Sequence, residues 1–204
     1  MDISNGFLNN DETKKFIKER KIIVEPILNK KKQFDNPIGI DLRLDNYFAE
    51  FVRTSDPYLS PALKGNGLKF IEKEFFYESY YLQPKEFVLG QTLEYIVLPD
   101  NIMCLLSGKS SLGRRGLEVH ATANIIDPGW KGHIVFELTN SGNMPIELIP
   151  CMRIARIIFS KVAPSKEYNG DFEGQVKIIP PKPDAEMVKL KKFIDQRDSE
   201  QRQP

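Results

Sequence analysis

"GLEVHATANIIDPGWKGHIVFELTN", residues 116–140, carries the pattern that decides the architecture. Near its end Ile134, Phe136 and Leu138 alternate with His133, Val135, Glu137 and Thr139, the two-residue period of a strand with one apolar face. Asp127-Pro128-Gly129 is a turn, because Asp bonds to nearby backbone and Gly accepts conformations that other residues resist. "GLEVHATANII" before it reads as a further strand. The same pattern extends from Lys69 to Phe159 through "KFIEKEFFY", "EFVLGQTLEYIVL", "IMCLLSG", "MPIELI" and "MRIARIIFS", with turns at Leu98-Pro99-Asp100 and Asn140-Ser141-Gly142-Asn143. Short strands with turns about every ten residues indicate an all-β barrel or sandwich.

Outside this run the signals change. "NNDETKKFIKERK" is expected to be a short helix capped by Asn10 or Asp11, with acidic residues in its first turn. "IIVEPIL" is apolar and β-branched, and Pro26 suits a strand end or edge. In "GIDLRL", Ile40, Leu42 and Leu44 alternate with polar residues as a half-buried strand does. Residues 53–68, rich in Pro, Ser, Gly and Asn, read as a long loop. Met187, Leu190 and Ile194 follow Pro183-Asp184 at helical spacing, so a C-terminal helix is expected. No internal repeat is evident.

The 204 residues suit one domain with a sizeable core. Lys+Arg 29 against Asp+Glu 28 leaves a formal charge of +1, which does not favour polymeric nucleic acid as a partner. Cys104 and Cys151 lie in apolar runs and read as buried thiols of a reducing compartment. No apolar run approaches the roughly 18 residues of a membrane span, and the start lacks a signal-peptide core, so a soluble cytoplasmic protein is expected.

"LLSGKSSLGRRGLEVH", residues 105–120, tests a phosphate-binding reading. A P-loop requires a first glycine where Met103 stands, and Gly113, Gly116 and Val119 make a poor helix start, so that motif is rejected. Arg114 and Arg115 beside Ser110 and Ser111 still resemble a phosphate clamp, although arginines are more often plain surface charge. Glu137 opposes the apolar row of its strand: it is either a solvent-facing edge residue or a cleft carboxylate, its pKa raised by partial burial, suited to proton transfer. Asp127 is either a turn residue or a contact for a sugar hydroxyl, and Trp130 reads as packing. Two histidines and two cysteines without Cys-x-x-Cys do not suggest a metal site.

"QTLEYIVLPDNI", "GKSSLGRRGLEVHATANIIDPGWKGHIVFEL", "NSGNMPIELIPCMRIARIIF" and the upstream "GIDLRL" together closely resemble the deoxycytidine triphosphate (dCTP) deaminases, a branch of the trimeric dUTPase superfamily. The resemblance is dense over residues 83–159, looser over 7–48, and thins after 161. It implies a mainly β fold, a distorted dUTPase-like β-barrel (β-clip) with short N-terminal and C-terminal helices. It also implies one domain over residues 1–204, with a core of about 20–162 and a closing segment and helix over 163–204, assembled as a homotrimer with interfacial active sites.

By motif, Glu137 matches the family's catalytic glutamate, Ser110 and Arg114 its serine and arginine, and Ala123 the position whose backbone helps to hold the reactive water. Lys109, Ser110, Ser111, Leu112, Gly113 and Arg114 line the triphosphate site in this reading. Asp127 faces the deoxyribose, and Val135 and Phe136 flank the base through main-chain groups. Tyr168 and Gln175 belong to the closing tail. That tail departs from the family pattern at Asp171, where a lysine is usual, and at Phe172, where tyrosine is. The acidic residue either costs affinity or leaves Lys166 or Lys177 to supply the missing cation. Asp45, where the family tends to have Gly, suggests an altered turn.

The implied activity is zinc-independent hydrolysis of dCTP to dUTP and ammonia, with Mg²⁺ accompanying the triphosphate. Most cytosine deaminases activate water with zinc held by His-x-Glu and Pro-Cys-x-x-Cys motifs. Here Ala121-Thr122 follows His120, and Pro150-Cys151 leads to Met152-Arg153-Ile154, so those motifs are missing. The alternatives are a bifunctional enzyme yielding dUMP and pyrophosphate, a dUTPase, or a non-catalytic nucleotide-binding relative. Within the family dTTP is a further expected ligand, as a feedback inhibitor.

Overall fold

Residues 131–140 form a ten-residue strand in which half-buried and buried side chains alternate along the whole length. The period read in the sequence is thus the period of burial. The strand belongs to a computed structural model describing residues 6–62, 69–75, 78–122, 124–164, 166–179 and 181–201. In chain order the elements are α1 (Asn10–Lys18), β1 (Ile23–Glu25), α2 (Lys30–Gln33), β2 (Ile40–Val52), β3 (Lys69–Glu74), β4 (Tyr80–Leu82) and β5 (Phe87–Val97). There follow β6 (Ile102–Gly108), α3 (Ser110–Gly113), β7 (Leu117–Glu118), β8 (Ile125–Ile126), β9 (Lys131–Asn140), β10 (Ile146–Leu148), β11 (Arg153–Lys161) and α4 (Ala185–Gln201).

One sheet runs β7-β9-β5-β2-β11-β6-β8, with β1 beside β5 and β3 beside β2, while β4 and β10 pair separately. Registers slip between Leu44 and Phe48 where β2 meets β5, between Gln91 and Tyr95 where β5 meets β9, and between Arg153 and Ala155 where β11 meets β2. Such bulges bend strands and strengthen their twist, and the sheet curls into the distorted half-barrel expected of the chain. In the core Phe48, Phe136 and Phe159 are fully buried among aliphatic side chains. Phe48 stacks on Tyr80 at 4.7 Å between ring centroids.

Local departures from the sequence expectations have identifiable causes. Asn9, not Asn10 or Asp11, caps α1: its side chain accepts from the N–H groups of Asp11 and Glu12, and Glu12 returns a bond to the Asn9 N–H. Asn10 is drawn away to the carbonyls of Phe34 and Asn36. "GLEVHATANII" gives two short strands, β7 and β8, because residues between them leave the sheet. Asp45 forms no altered turn. It lies within β2 at the bulge, accepting from the Gln91 amide at 2.9 Å. Cys104 is buried as expected, but Cys151 is exposed, at φ 66° in the reversal between β10 and β11. Within the loop expected over 53–68, residues 53–62 form no strand or helix and 63–68 lie outside the described residues. No helix among the described residues is long and apolar enough to cross a membrane.

The chain divides into two compact units, Met1–Glu50 with Glu72–Ile178, and Phe51–Ile71 with Ile179–Pro204. In the second, Asp184 caps α4 by accepting from the N–H groups of Glu186 and Met187. The helix is the one expected from its spacing, yet Met187, Leu190 and Ile194 remain substantially exposed. In the first unit, a buried polar network underlies the sheet. The Gln33 amide donates to Glu94 at 2.9 Å and to the Asp41 carbonyl at 3.2 Å, while the Arg43 N–H donates to the other Glu94 oxygen at 2.9 Å.

Burial pushes the Glu94 carboxyl from 4.5 up to about 7, against the opposing effect of the bonds from Arg43 and Gln33. A carboxyl with a raised folded-state pKa contributes stability that is full below about pH 4.5 and is lost as pH rises through 7. Urea unfolding between pH 4.5 and 8 is therefore expected to show a loss of up to about 3 kcal/mol from this group. Glu94→Gln should flatten that part of the profile; parallel profiles for parent and variant would refute the assignment.

Candidate active site

The phosphate-like segment begins where β6 ends. The Lys109 N–H donates to the Ile154 carbonyl at 3.1 Å, which ties the start of α3 to β11. α3 is a single turn, closed by Leu112 and Gly113 N–H groups on the Lys109 carbonyl, and Ser110, Ser111, Gly113 and Arg114 are exposed around it. No long helix follows, in agreement with rejection of the P-loop. Lys109 itself does not reach outward with its neighbours. Its ammonium lies 2.6 Å from Asp41, a carboxylate with no exposed surface, which Arg153 and Arg156 also contact at 3.0 and 3.1 Å.

From α3 the chain enters β7, which pairs with the end of β9 through Leu117↔Asn140 and Glu118↔Thr139. The Glu137 N–H then donates to the Val119 carbonyl at 3.2 Å. Beyond Val119 the chain lifts away and turns two amides back onto the Glu137 side chain: Ala121 N–H at 2.7 Å and Thr122 N–H at 3.2 Å, both on Oε2. Glu137 is thus half-buried and fixed in orientation, with Oε1 receiving no bond from the described residues. Ala123, which follows these two amides, lies outside the described residues.

Val135 shares the Glu137 face, and Phe136 points into the core with no exposed surface. Asp127 is exposed, and its carbonyl accepts the Trp130 N–H in the expected turn. The half-buried Trp130 packs against the core and against Tyr168, ring centroids 5.2 Å apart.

The tail docks on the same strand. Tyr168 N–H donates to the Pro128 carbonyl, Gly174 N–H to that of Lys131, and His133 N–H to that of Gln175, at 2.8 to 2.9 Å. Gln175 is nearly fully buried, and its amide also reaches the His133 carbonyl at 3.3 Å. Further on, the Gln91 amide donates to the Val176 carbonyl, and Lys177 lies over the Tyr47 ring at 5.1 Å.

Two groupings therefore emerge from the expected residues: Glu137 with the 121–122 loop, and Tyr168 and Gln175 with the 127–133 turn and strand. Lys109 is diverted from the exposed Ser110–Arg114 group to Asp41. Sequence reading passed over Asp41, Arg153 and Arg156. The available signal was one acidic residue in "GIDLRL" and two arginines in the otherwise apolar "MRIARIIF". Among the described residues no three His, Cys, Asp or Glu side chains come together as a metal cage.

Residues 7–162 match a family model described as dCTP deaminase-like. A curated protein named "dCTP deaminase, dUMP-forming" from Dictyoglomus turgidum is 41% identical over 162 residues, covering 78% of this chain and 82% of its own. The protein of the same name from Dictyoglomus thermophilum is 40% identical over 162 residues, with the same coverage. Among solved structures, a 2'-deoxycytidine 5'-triphosphate deaminase from Agrobacterium tumefaciens superposes with a TM-score of 0.59 at 19% identity. That match spans 78% of this chain and 48% of the other, and is a likeness of fold.

Gly129 is the tightest point of tail docking. Its φ is +80°, and a Cβ there would lie 2.7 Å from the Glu167 Cα. Gly129→Ala is expected to cost about 1–3 kcal/mol and to free the tail. The emission of Trp130, the single tryptophan, would shift red and become more readily quenched by acrylamide. Unchanged emission and quenching would show that the tail does not depend on this approach.

Proposed function

We propose that this chain, which belongs to the dCTP deaminase-like family and is an enzyme of the dCTP deaminase class, carries dCTP through to dUMP. Overall, dCTP and two waters give dUMP, ammonia and pyrophosphate. The main reading from sequence ended at dUTP, with this longer reaction as its alternative. The observation favouring the longer reaction is the dUMP-forming designation of relatives about 40% identical across four fifths of the chain.

In this proposal Glu137 takes a proton from water attacking C4 of cytosine and delivers it to N3; it then passes the hydroxyl proton of the adduct to the exocyclic amine, so that the C4 carbonyl forms and ammonia leaves. The two amides on Oε2 support that role, because they hold the carboxylate still while Oε1 faces the reactants. Ser110, Arg114 and the backbone of Ala123 orient the water and the base. Ser111, Leu112 and Gly113 line the triphosphate, with Lys109 beside them on Asp41; Asp127 lines the deoxyribose, and Val135 and Phe136 the base through main-chain groups. In the second step water attacks the α-phosphorus and pyrophosphate departs. Mg²⁺ is a hard cation suited to phosphate oxygens. We assign it to the incoming nucleotide. Residues 163–204 supply the closing segment and helix in this reading, within a single functional domain and a homotrimer whose sites lie at subunit interfaces. dTTP is the proposed inhibitor, and the cytoplasm the proposed location.

The test is separation of products after incubation with dCTP and Mg²⁺. Ammonia, dUMP and pyrophosphate should form together without free dUTP, and Glu137→Gln should lower the rate by about 10³-fold while the fold is kept. Accumulation of dUTP in step with ammonia would return the assignment to a deaminase only. Unchanged dCTP would refute both.

A further inference from the structure

Where β2 meets β5, Leu44 pairs with Thr92 and Phe48 with Gly90, so Asp45, Asn46 and Tyr47 all stand opposite one residue, Gln91. Bulges of this kind re-aim side chains. On its other side Gln91 pairs with Val135 of β9, the neighbour of Glu137 along one face of that strand. Gln91 is only 3% exposed, and its polar contacts belong to the bulge and to the tail. None of the roles assigned so far accounts for it.

Its Nε2 donates to Asp45 Oδ2 at 2.9 Å and to the Val176 carbonyl at 3.3 Å, while Oε1 is buried with no partner among the described residues. A side-chain amide can turn either its oxygen or its nitrogen toward a neighbour. Both neighbours here are acceptors, so turning the amide over would set oxygen against oxygen in two places. Asp45 is itself fixed, since its Oδ1 accepts from the Asn46 N–H at 2.8 Å. The carboxylate thus decides which way the glutamine points, and the glutamine aims an N–H at the tail. An unpaired buried Oε1 is unfavourable, and the two bonds on Nε2 offset it. The next tail residues settle on the same bulge: Lys177 lies over the Tyr47 ring at 5.1 Å, and Ile178 is buried. The tail therefore has two attachments, backbone bonds to the 128–133 turn and strand through residues 168–175 and a seat on β2 and β5 at 176–178.

We propose that Asp45 and Gln91 are positioning residues for the reaction: they seat the tail beside β9, and so strengthen closure in a chain whose tail carries Asp171 and Phe172 in place of the expected lysine and tyrosine. This rests on the nucleotide reading above. Neither residue touches the nucleotide. Gln91 works through the Val176 carbonyl, and Asp45 works through Gln91. A tail already held by the protein loses less freedom when substrate binds, which raises apparent affinity without any new contact to the ligand. The carboxylate at position 45, where the resemblance led to an expectation of Gly, acquires a role in this way.

Hydrogen exchange of the full chain, followed by mass spectrometry, reads the seat apart from nucleotide binding and chemistry. Asp45→Ala and Gln91→Ala should each speed exchange across residues 168–178 about fivefold, while residues 134–139 of β9 exchange as in the parent. Because Asp45 acts through the glutamine, the double variant should open the tail no further than Gln91→Ala alone. Gln91→Glu keeps the shape but sets a second carboxylate against Asp45 and the Val176 carbonyl, and should open the tail at least as much. Asp45→Ala removes only a half-buried side chain, which protects folding. Each variant should raise KM for dCTP about fivefold, with kcat within about twofold. Parental tail exchange in Asp45→Ala and Gln91→Glu would overturn the proposal. So would additive effects in the double variant, or a parental KM beside an opened tail. If tail exchange responds as expected but the parent leaves dCTP unchanged, the seat stands and the deaminase reading falls.

Discussion

Asp41 has no exposed side-chain surface, and its carboxylate is met there by cations and an amide drawn from distant parts of the chain. Lys109 comes from the end of β6, Arg153 and Arg156 from β11, and Asn36 from the approach to β2. Removing the acid would leave three cations crowded together; removing all of them would leave a charge that interiors tolerate at a cost of several kcal/mol. The cluster consequently fixes more than one contact. It sets where β6 may end, how β11 lies against β2, and where the exposed serines and Arg114 of α3 emerge.

A second constraint works from the opposite side of β2. Glu94 is buried between Gln33 and Arg43, and the same Gln33 amide holds the Asp41 carbonyl. The two acids therefore share one scaffold of backbone and amide groups. Their electrostatic settings differ: Asp41 is surrounded by full charges, whereas Glu94 is met mainly by neutral donors, and its carboxyl rises to about 7. Full charges compensate for lost water in a way that dipoles only partly achieve.

Legibility in the sequence followed the range of the interactions. The β9 strand was plain because alternation is a property of adjacent residues, and α4 because three apolar positions share a helical spacing. The loop residues that hold Glu137 were less plain: nothing in Ala121 or Thr122 announces that their N–H groups turn toward a side chain about fifteen positions later. Asp41 was hidden by distance, its cations standing 68, 112 and 115 residues away. Cys151 lay in an apolar run, but the left-handed backbone of a reversal carried it to the surface. The glutamate and the serine–arginine segment were singled out by motif, while the groups that position them belong to tertiary structure.

The tail illustrates a different economy. Residues 168 to 175 are attached to the turn and strand at 128–133 chiefly through N–H and carbonyl groups, including the parallel bridge between Gly132 and Gln175. Main-chain groups are common to nearly every residue type, so this attachment is written in backbone geometry more than in side-chain identity. Substitution within the tail can then change its charge and aromatic content while the segment keeps its address on β9. What cannot drift is the small set of glycines that lets the two backbones approach.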